Sequence, residues 1–266
     1  MLDHPNMQRI RGEARVSLGR AGLRDLRQAG SAKAMLPRVD TDVPEVVFLN
    51  TAGGVTSGDR LDYTLNIGAG ARATAGTQTA ERAYRATGGP GRIETRITVS
   101  RGAHLDWLPQ ELIAFEGSHL ARVTQVDLAA DAHFLCVDSV ILGRPAHGEI
   151  VTTARLDDLR TIRRDGALFH QEHLSLGPET LSDPVALGGV RALATLVLAA
   201  PGAGDALSAI RALPSTGGVR QAASAWDGRL VVRLMARDPA PLRRALMSAI
   251  VTLRGTPMPR VWQSDV

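Results

Sequence analysis

The sequence predicts a mainly β protein with a few helices. Stacked, strand-rich sheets are expected over residues 1–200 and a small α+β portion over 201–266, all within one domain. Three observations lead there. Short segments of alternating apolar and polar residues, rich in Val, Ile and Thr and bounded by Gly, run from Gly12 to about Leu176. Period-two alternation is the mark of half-buried strands. A loose unit recurs about every thirty residues within that stretch. Helical spacing becomes convincing only after residue 200.

Taken in order, residues 45–49 (EVVFL), 62–67 (DYTLNI), 92–99 (RIETRITV) and 123–128 (VTQVDL) each read as a strand. The repeat links them. IGAGARA at 67–73, VSRGAHL at 99–105 and LAADAHF at 128–134 share one pattern, apolar-x-x-(Gly/Asp)-Ala-x-apolar. Gly70, Gly102 and Asp131 are spaced 32 and 29 residues apart. Gly or Asp there suits a tight turn with positive φ between strands, and the weak period predicts stacked β units of similar shape. Further strands are expected at 192–198 and 229–235. Residues 204–213 have helical spacing and stop before Pro214, while 240–253 carry Pro241 near the start and Gly255 past the end. Pro early and Gly late is the asymmetry of a helix.

Composition narrows the function. The 266 residues are 44% apolar and 22% charged, an ordinary globular balance, with only 3% aromatics. Lys33 is the only lysine, and the arginines that supply the other positive charges are scattered among 27 acids, for a net charge of +4. Without a basic run, neither nucleic acid nor a membrane surface is expected as a partner. Cys136 is the single cysteine and sits in an apolar strand, which excludes an internal disulfide or a multi-cysteine metal site and reads as a core thiol. The first twenty residues lack an apolar signal core, and the apolar stretch 192–200 is too short to span a bilayer, so a cytoplasmic protein is expected.

Most enzyme chemistry fails on local pattern. Lys33 lies in SAKA rather than a phosphate-binding Gly-Lys-Ser/Thr. GAGARA at 68–73 matches a dinucleotide fingerprint, but a Thr-rich stretch follows where a helix should open, so a β-turn is the better reading. A G-x-S-x-G elbow is absent. What remains is polar residues planted in apolar strands: Asp106 and Glu111 in LDWLPQELI, Asp138 in CVDSVIL, and His170 and Glu172 in LFHQEHL. A buried carboxylate needs a partner. Any one of these acids is expected to pair with an arginine, but several together point to an acid-lined internal path. Strand alternation puts His170 and Glu172 on one face and His173 on the other, a pair that suits weak contact with Ni or Zn.

Five segments then match one family in order. LNTAGGVTSGD at 49–59 resembles the Gly-Gly-x-x-Gly-Gly-Asp loop of the urease accessory protein UreD (UreH) family, and the segment 78–85 ends Tyr84-Arg85 as that family's does. LDWLPQE at 105–111 is similar to its Leu-Glu-Trp-Leu-Pro-Gln segment, LGRPAHGE at 142–149 matches its Leu-Gly-Arg-x-x-x-Gly-Glu pattern, and PRVW at 259–262 resembles its Pro-Arg-x-Trp. The resemblance implies a β-rich nickel-delivery chaperone rather than an enzyme. It implies UreF as a partner, UreG recruited through UreF, apo-urease as the recipient, and a dimer of heterocomplexes built through UreF. It also implies that nickel passes through an acid-lined internal tunnel without a stably bound cofactor. By motif position the tunnel contacts are Asp59, Asp138 and Glu172, with Glu81, Glu111, Glu149 and His170 as further candidates.

Widely spaced carboxylates and single imidazoles suit such transit, because they give weak successive stops where several histidines together would trap the ion. Ser57 departs from the family, standing where the loop has a glycine. If that position required positive φ, serine would cost about 1 kcal/mol or more. Two other classes stay open: a β-rich hydrolase with Asp106 and Glu111 as paired carboxylates, needing them about 5–10 Å apart in an open cleft, and a purely structural adaptor.

Overall fold

Two hairpins open the computed structural model, which describes residues 9–38 and 42–263. β1 (Arg11–Gly19) pairs antiparallel with β2 (Gly22–Gly30), and β3 (Ala32–Met35) with β4 (Glu45–Asn50). The chain then winds in circuits that each lay a strand in one sheet, a strand in a second, and a short strand on a third side. The circuits are β5 (Arg60–Ile67), β6 (Arg72–Thr77) and β7 (Glu81–Ala83), then β8 (Gly91–Val99), β9 (His104–Trp107) and β10 (Leu112–Ala114). A third comprises β11 (His119–Leu128) and β12 (His133–Leu142), before β13 (Arg155–Arg164) and β14 (Ala167–Leu176) close the first sheet. Two short helices, α1 (Pro178–Ser182) and α2 (Pro184–Leu187), lead to β15 (Ala192–Ala199), α3 (Leu207–Arg211), β16 (Val219–Trp226), β17 (Arg229–Ala236) and α4 (Pro239–Arg254).

The first sheet has seven strands in the order β14-β13-β11-β8-β5-β1-β2, and strands of successive circuits run parallel. The second runs β16-β17-β15-β12-β9-β6-β4-β3, and β10 joins it by pairing with β12 and β7. A mainly β fold of stacked sheets with a late helix is thus what the sequence predicted. The recurring unit is the turn between the sheets. Ala71, Ala103 and Ala132 amides donate to Gly68, Ser100 and Ala129 carbonyls at 3.0, 3.0 and 3.1 Å. Gly70 and Gly102 both sit at φ +64. Asp131 departs from expectation: it keeps negative φ, and its carboxylate instead accepts the Gly102 amide at 2.9 Å, tying one turn to the next.

Parallel stacking puts like residues in rows. Leu65, Ile97, Val126 and Ile162 are register partners across four strands and are buried, as are Ile67, Val99 and Leu128. On the second sheet Ala73, Leu105 and Phe134 form an inward row. The outer face of that sheet builds a second core, with Leu196, Leu230 and Val232 against Leu242, Leu246, Ile250 and Trp262. α4 buries Leu242, Ala245, Leu246, Ala249 and Ile250, the stripe its spacing calls for. Asp238 caps its start and Gly255, at φ +64, its end.

Four elements differ from the sequence reading. The helix expected at 204–213 divides into a 3-10 turn at Ala203–Ala206 followed by α3. α1 and α2 were not foreseen, because four or five residues show no 3.6-residue period. β16 is mostly exposed and carries too little alternation to announce itself. Among the described residues no helix is long and apolar enough to cross a membrane. The reading of a missing signal core rests partly on residues 1–8, which lie outside the described residues.

Candidate functional site

The rows of inward residues change character toward one end of the stack. Leu61 and Ile93 are followed in register by Arg122 and Asp158, and Tyr63, Thr95 and Thr124 by Arg160. Charges therefore enter the space between the sheets on β11 and β13. Arg122 is held by Asp158 through two bonds (3.1 and 2.6 Å) and by Asp138 at 2.7 Å. Arg160 approaches Asp158 at 3.5 Å and Glu172 at 3.6 Å. Glu172 also accepts from Thr195 at 3.1 Å and from the exposed Arg233 at 3.3 Å. Asp158 is fully buried, so its bidentate partner is what permits the charge.

Asp138, Glu172, His170, Cys136 and Arg160 line one cavity of about 30 Å³ between the sheets. That is room for about one water or ion. Burial raises the Asp138 carboxyl above the ordinary range, against the opposing charges of Arg122 and Arg160. Burial lowers His170, an effect Glu172 opposes and Arg229, Arg233 and Arg160 reinforce, so its imidazole stays neutral at pH 7. Burial also pushes the Cys136 thiol up to about 12, leaving it protonated. His170 Nε2 and Glu172 Oε2 lie 4.0 Å apart, and among the described residues neither has a hydrogen-bond partner. His173 points away to an exposed pair with Asp157.

Glu81 lines a second cavity of about 40 Å³ with Asn50, Gly53 and Tyr63. Burial raises its pKa, offset in part by the Asn50 hydrogen bond and by the charges of Arg82 and Arg122. Phe48, in this lining, packs edge-on against Trp107 of the first cavity, with ring centroids 5.9 Å apart.

The other nominated acids lie outside the first cavity and are paired with nearby backbone and arginines. Asp59 is buried, lies outside both linings, and accepts the Ile10 and Thr56 amides at 2.9 and 2.8 Å. In the same loop Gly53 and Gly58 take positive φ, and a Cβ at Gly54 would strike the Tyr84 ring at 2.3 Å. Ser57 needs no positive φ, and its Oγ accepts the Thr87 and Gly88 amides. Glu149 accepts from Arg144 and from the Glu116 amide, closing the 142–149 loop. Glu111 pairs with Arg243 of α4 at 3.1 Å. The motif around it meets the carboxyl-terminal one: Trp262 Nε1 donates to the Leu108 carbonyl at 2.9 Å, and Gln110 donates to the Val261 carbonyl at 2.9 Å.

The two carboxylates of the hydrolase reading line different cavities. Asp106 lines a cleft with Arg254 and His104, whereas Glu111 lines a separate groove against α4. Sequence reasoning missed the cations Arg122 and Arg160, the acid Asp158, and the pairing of His104 with His133. Asp158 and Arg160 were legible as polar residues in an alternating strand. The histidines occupy one position of the repeat.

The chain also has relatives. The family model described as UreD urease accessory protein matches residues 9–263. The urease accessory protein UreD of Paracoccus denitrificans is 50% identical over 260 residues, covering 97% of this chain and 93% of its own. Those of Dinoroseobacter shibae and of Cereibacter sphaeroides strain ATCC 17029 are 49% and 53% identical, each over 97% of this chain and at least 94% of their own. With a match of that extent, this chain belongs to the UreD family of urease accessory proteins.

Proposed function

We propose that this protein is a nickel-delivery scaffold of urease maturation, and that the cavity of Asp138, His170 and Glu172 is a transient stop for the ion. It would act without catalysis of its own, binding UreF, with UreG recruited through UreF, and apo-urease, in a dimer of heterocomplexes. The observation that carries this is that His170 Nε2 and Glu172 Oε2, 4.0 Å apart on a water-sized cavity, have no hydrogen-bond partner among the described residues, Arg160 standing 3.6 Å from Glu172 as an ion pair only. An imidazole and a carboxylate suit Ni. Arg160 and Arg233, both on Glu172, repel a divalent ion, so residence is brief. The Glu81 cavity, with one buried carboxylate and space of similar size, is offered as a second stop. Asp59, Glu111 and Glu149 are assigned here to holding loops and α4.

The test is co-expression of the Glu172→Gln/His170→Asn variant with apo-urease, UreF and UreG. Nickel content and urease activity are expected to fall severalfold while pull-down of the partners is retained. Unchanged activation would sink the transit assignment and favour a structural adaptor. That reading has its own support in the arginine partners of Asp138 and Asp158.

A further inference from the structure

We infer that His104, Asp106 and His133 form a separate binding site for one late first-row divalent ion of the Ni²⁺ or Zn²⁺ class, on the outer face of the second sheet. The repeat places it. His104 and His133 occupy the same position of successive units and are direct partners on β9 and β12, with their rings stacked at 3.8 Å and 12° apart in plane. Asp106, two residues along β9, turns to the same face. Its Oδ1 lies 3.2 Å from His104 Nε2, and ligand atoms of all three residues lie within 4.8 Å of one another.

Two donors on one ion at about 2.0–2.1 Å stand roughly 3–3.4 Å apart. His104 and Asp106 therefore already have ligand spacing. A ring nitrogen of His133 stands within 4.8 Å of the other two ligand atoms, so a turn of its ring about χ2 would complete the set. A second observation points to a ligand: among the described residues His133 Nδ1 is buried without a hydrogen-bond partner, a condition proteins seldom leave standing. Two imidazoles and a carboxylate suit Zn and Ni.

The surroundings fit. Arg254 Nε holds Asp106 Oδ2 at 2.7 Å and its Nη2 bonds Thr74 Oγ1 at 3.0 Å, fixing the carboxylate so that Oδ1 faces His104. A cleft of about 360 Å³, lined also by Glu45 and Thr256, gives entry and room for water to complete the shell. Arg254 and Arg72 lie beside the site, so their charge keeps the ion exchangeable rather than structural.

The full chain would be dialysed to equilibrium against NiCl2 and, separately, ZnCl2, and X-ray absorption recorded on the nickel-loaded protein. The wild-type chain is expected to bind an ion with imidazole scattering. His104→Phe/His133→Asn should lose one equivalent or weaken more than about tenfold, while Glu172→Gln/His170→Asn should keep that equivalent. Should the double variant fail to fold, His104→Phe alone retains an aromatic ring in the stack and removes a ligand. Equal stoichiometry and affinity in the histidine variants, or a wild-type ion without imidazole scattering, would overturn the site. These readouts need no urease, so they stand apart from the activation experiment.

Discussion

Asp59 and Glu116 show how a carboxylate can be committed to the backbone. Both Asp59 oxygens are taken by amides, at Ile10 and Thr56, inside a buried turn. Asp59→Ala leaves those donors without an acceptor, and each such loss costs about 1–3 kcal/mol. Urea unfolding should show that destabilisation. A variant of unchanged stability that loads urease poorly would instead make Asp59 a metal contact. Glu116 accepts from the amides and hydroxyls of Thr152 and Thr153. Burial alone would raise its pKa, but those bonds hold it near 2, below the ordinary 4.5. A depressed carboxylate adds stability above its unfolded pKa and loses it as pH falls through the folded one. Glu116→Gln should therefore lower the melting temperature at pH 7, with the difference shrinking between about pH 4.5 and 2.

The carboxyl-terminal helix is fastened at several points to one strand end. Arg254 binds Asp106 and Thr74, Arg243 binds Gln110 and Glu111 and lies over the Trp262 ring at 4.4 Å, and Trp262 reaches the Leu108 carbonyl. Trp262 is among the largest fully buried side chains. Trp262→Ala should cost about 3–5 kcal/mol in a denaturant titration. A loss under about 1 kcal/mol would mean that α4 is not anchored there. The residues that carried the family resemblance thus turn out largely to be fasteners. Their side chains meet across the sequence, and proximity of that kind cannot be read from spacing.

Across the whole molecule, the paired charges of Arg122, Asp138, Asp158 and Arg160 gather between the sheets in the later circuits. Arg122 and Asp158 take the register positions of Leu61 and Ile93. Asp158→Ala leaves Arg122 with Asp138 alone and should destabilise by about 3–5 kcal/mol, whereas Arg122→Met/Asp158→Leu should lose less, the remaining cost being the Asp138 carboxyl without its arginine. If the network is kept for transit, that apolar double variant will fold and still fail to mature urease. Full maturation by it would make the network structural.

The sequence by itself determined much. Period-two alternation, the thirty-residue unit and one late helical stripe specify a stacked β fold, because they report local backbone geometry and which face is buried. The planted polar residues Asp138, His170 and Glu172 were legible for the same reason, since a polar side chain inside an alternating strand stands out. Their company was decided only by tertiary structure. Which of the scattered charges lie inside is set by parallel register, which brings Arg122 beside Asp158. His104 and His133 become neighbours only because two turns of one repeat stack, and Asp59 and Glu111 find their partners 49 and 132 residues away. Which residues share a cavity depends on how successive circuits align, and alignment across that many residues is set by packing of the whole stack rather than by local pattern.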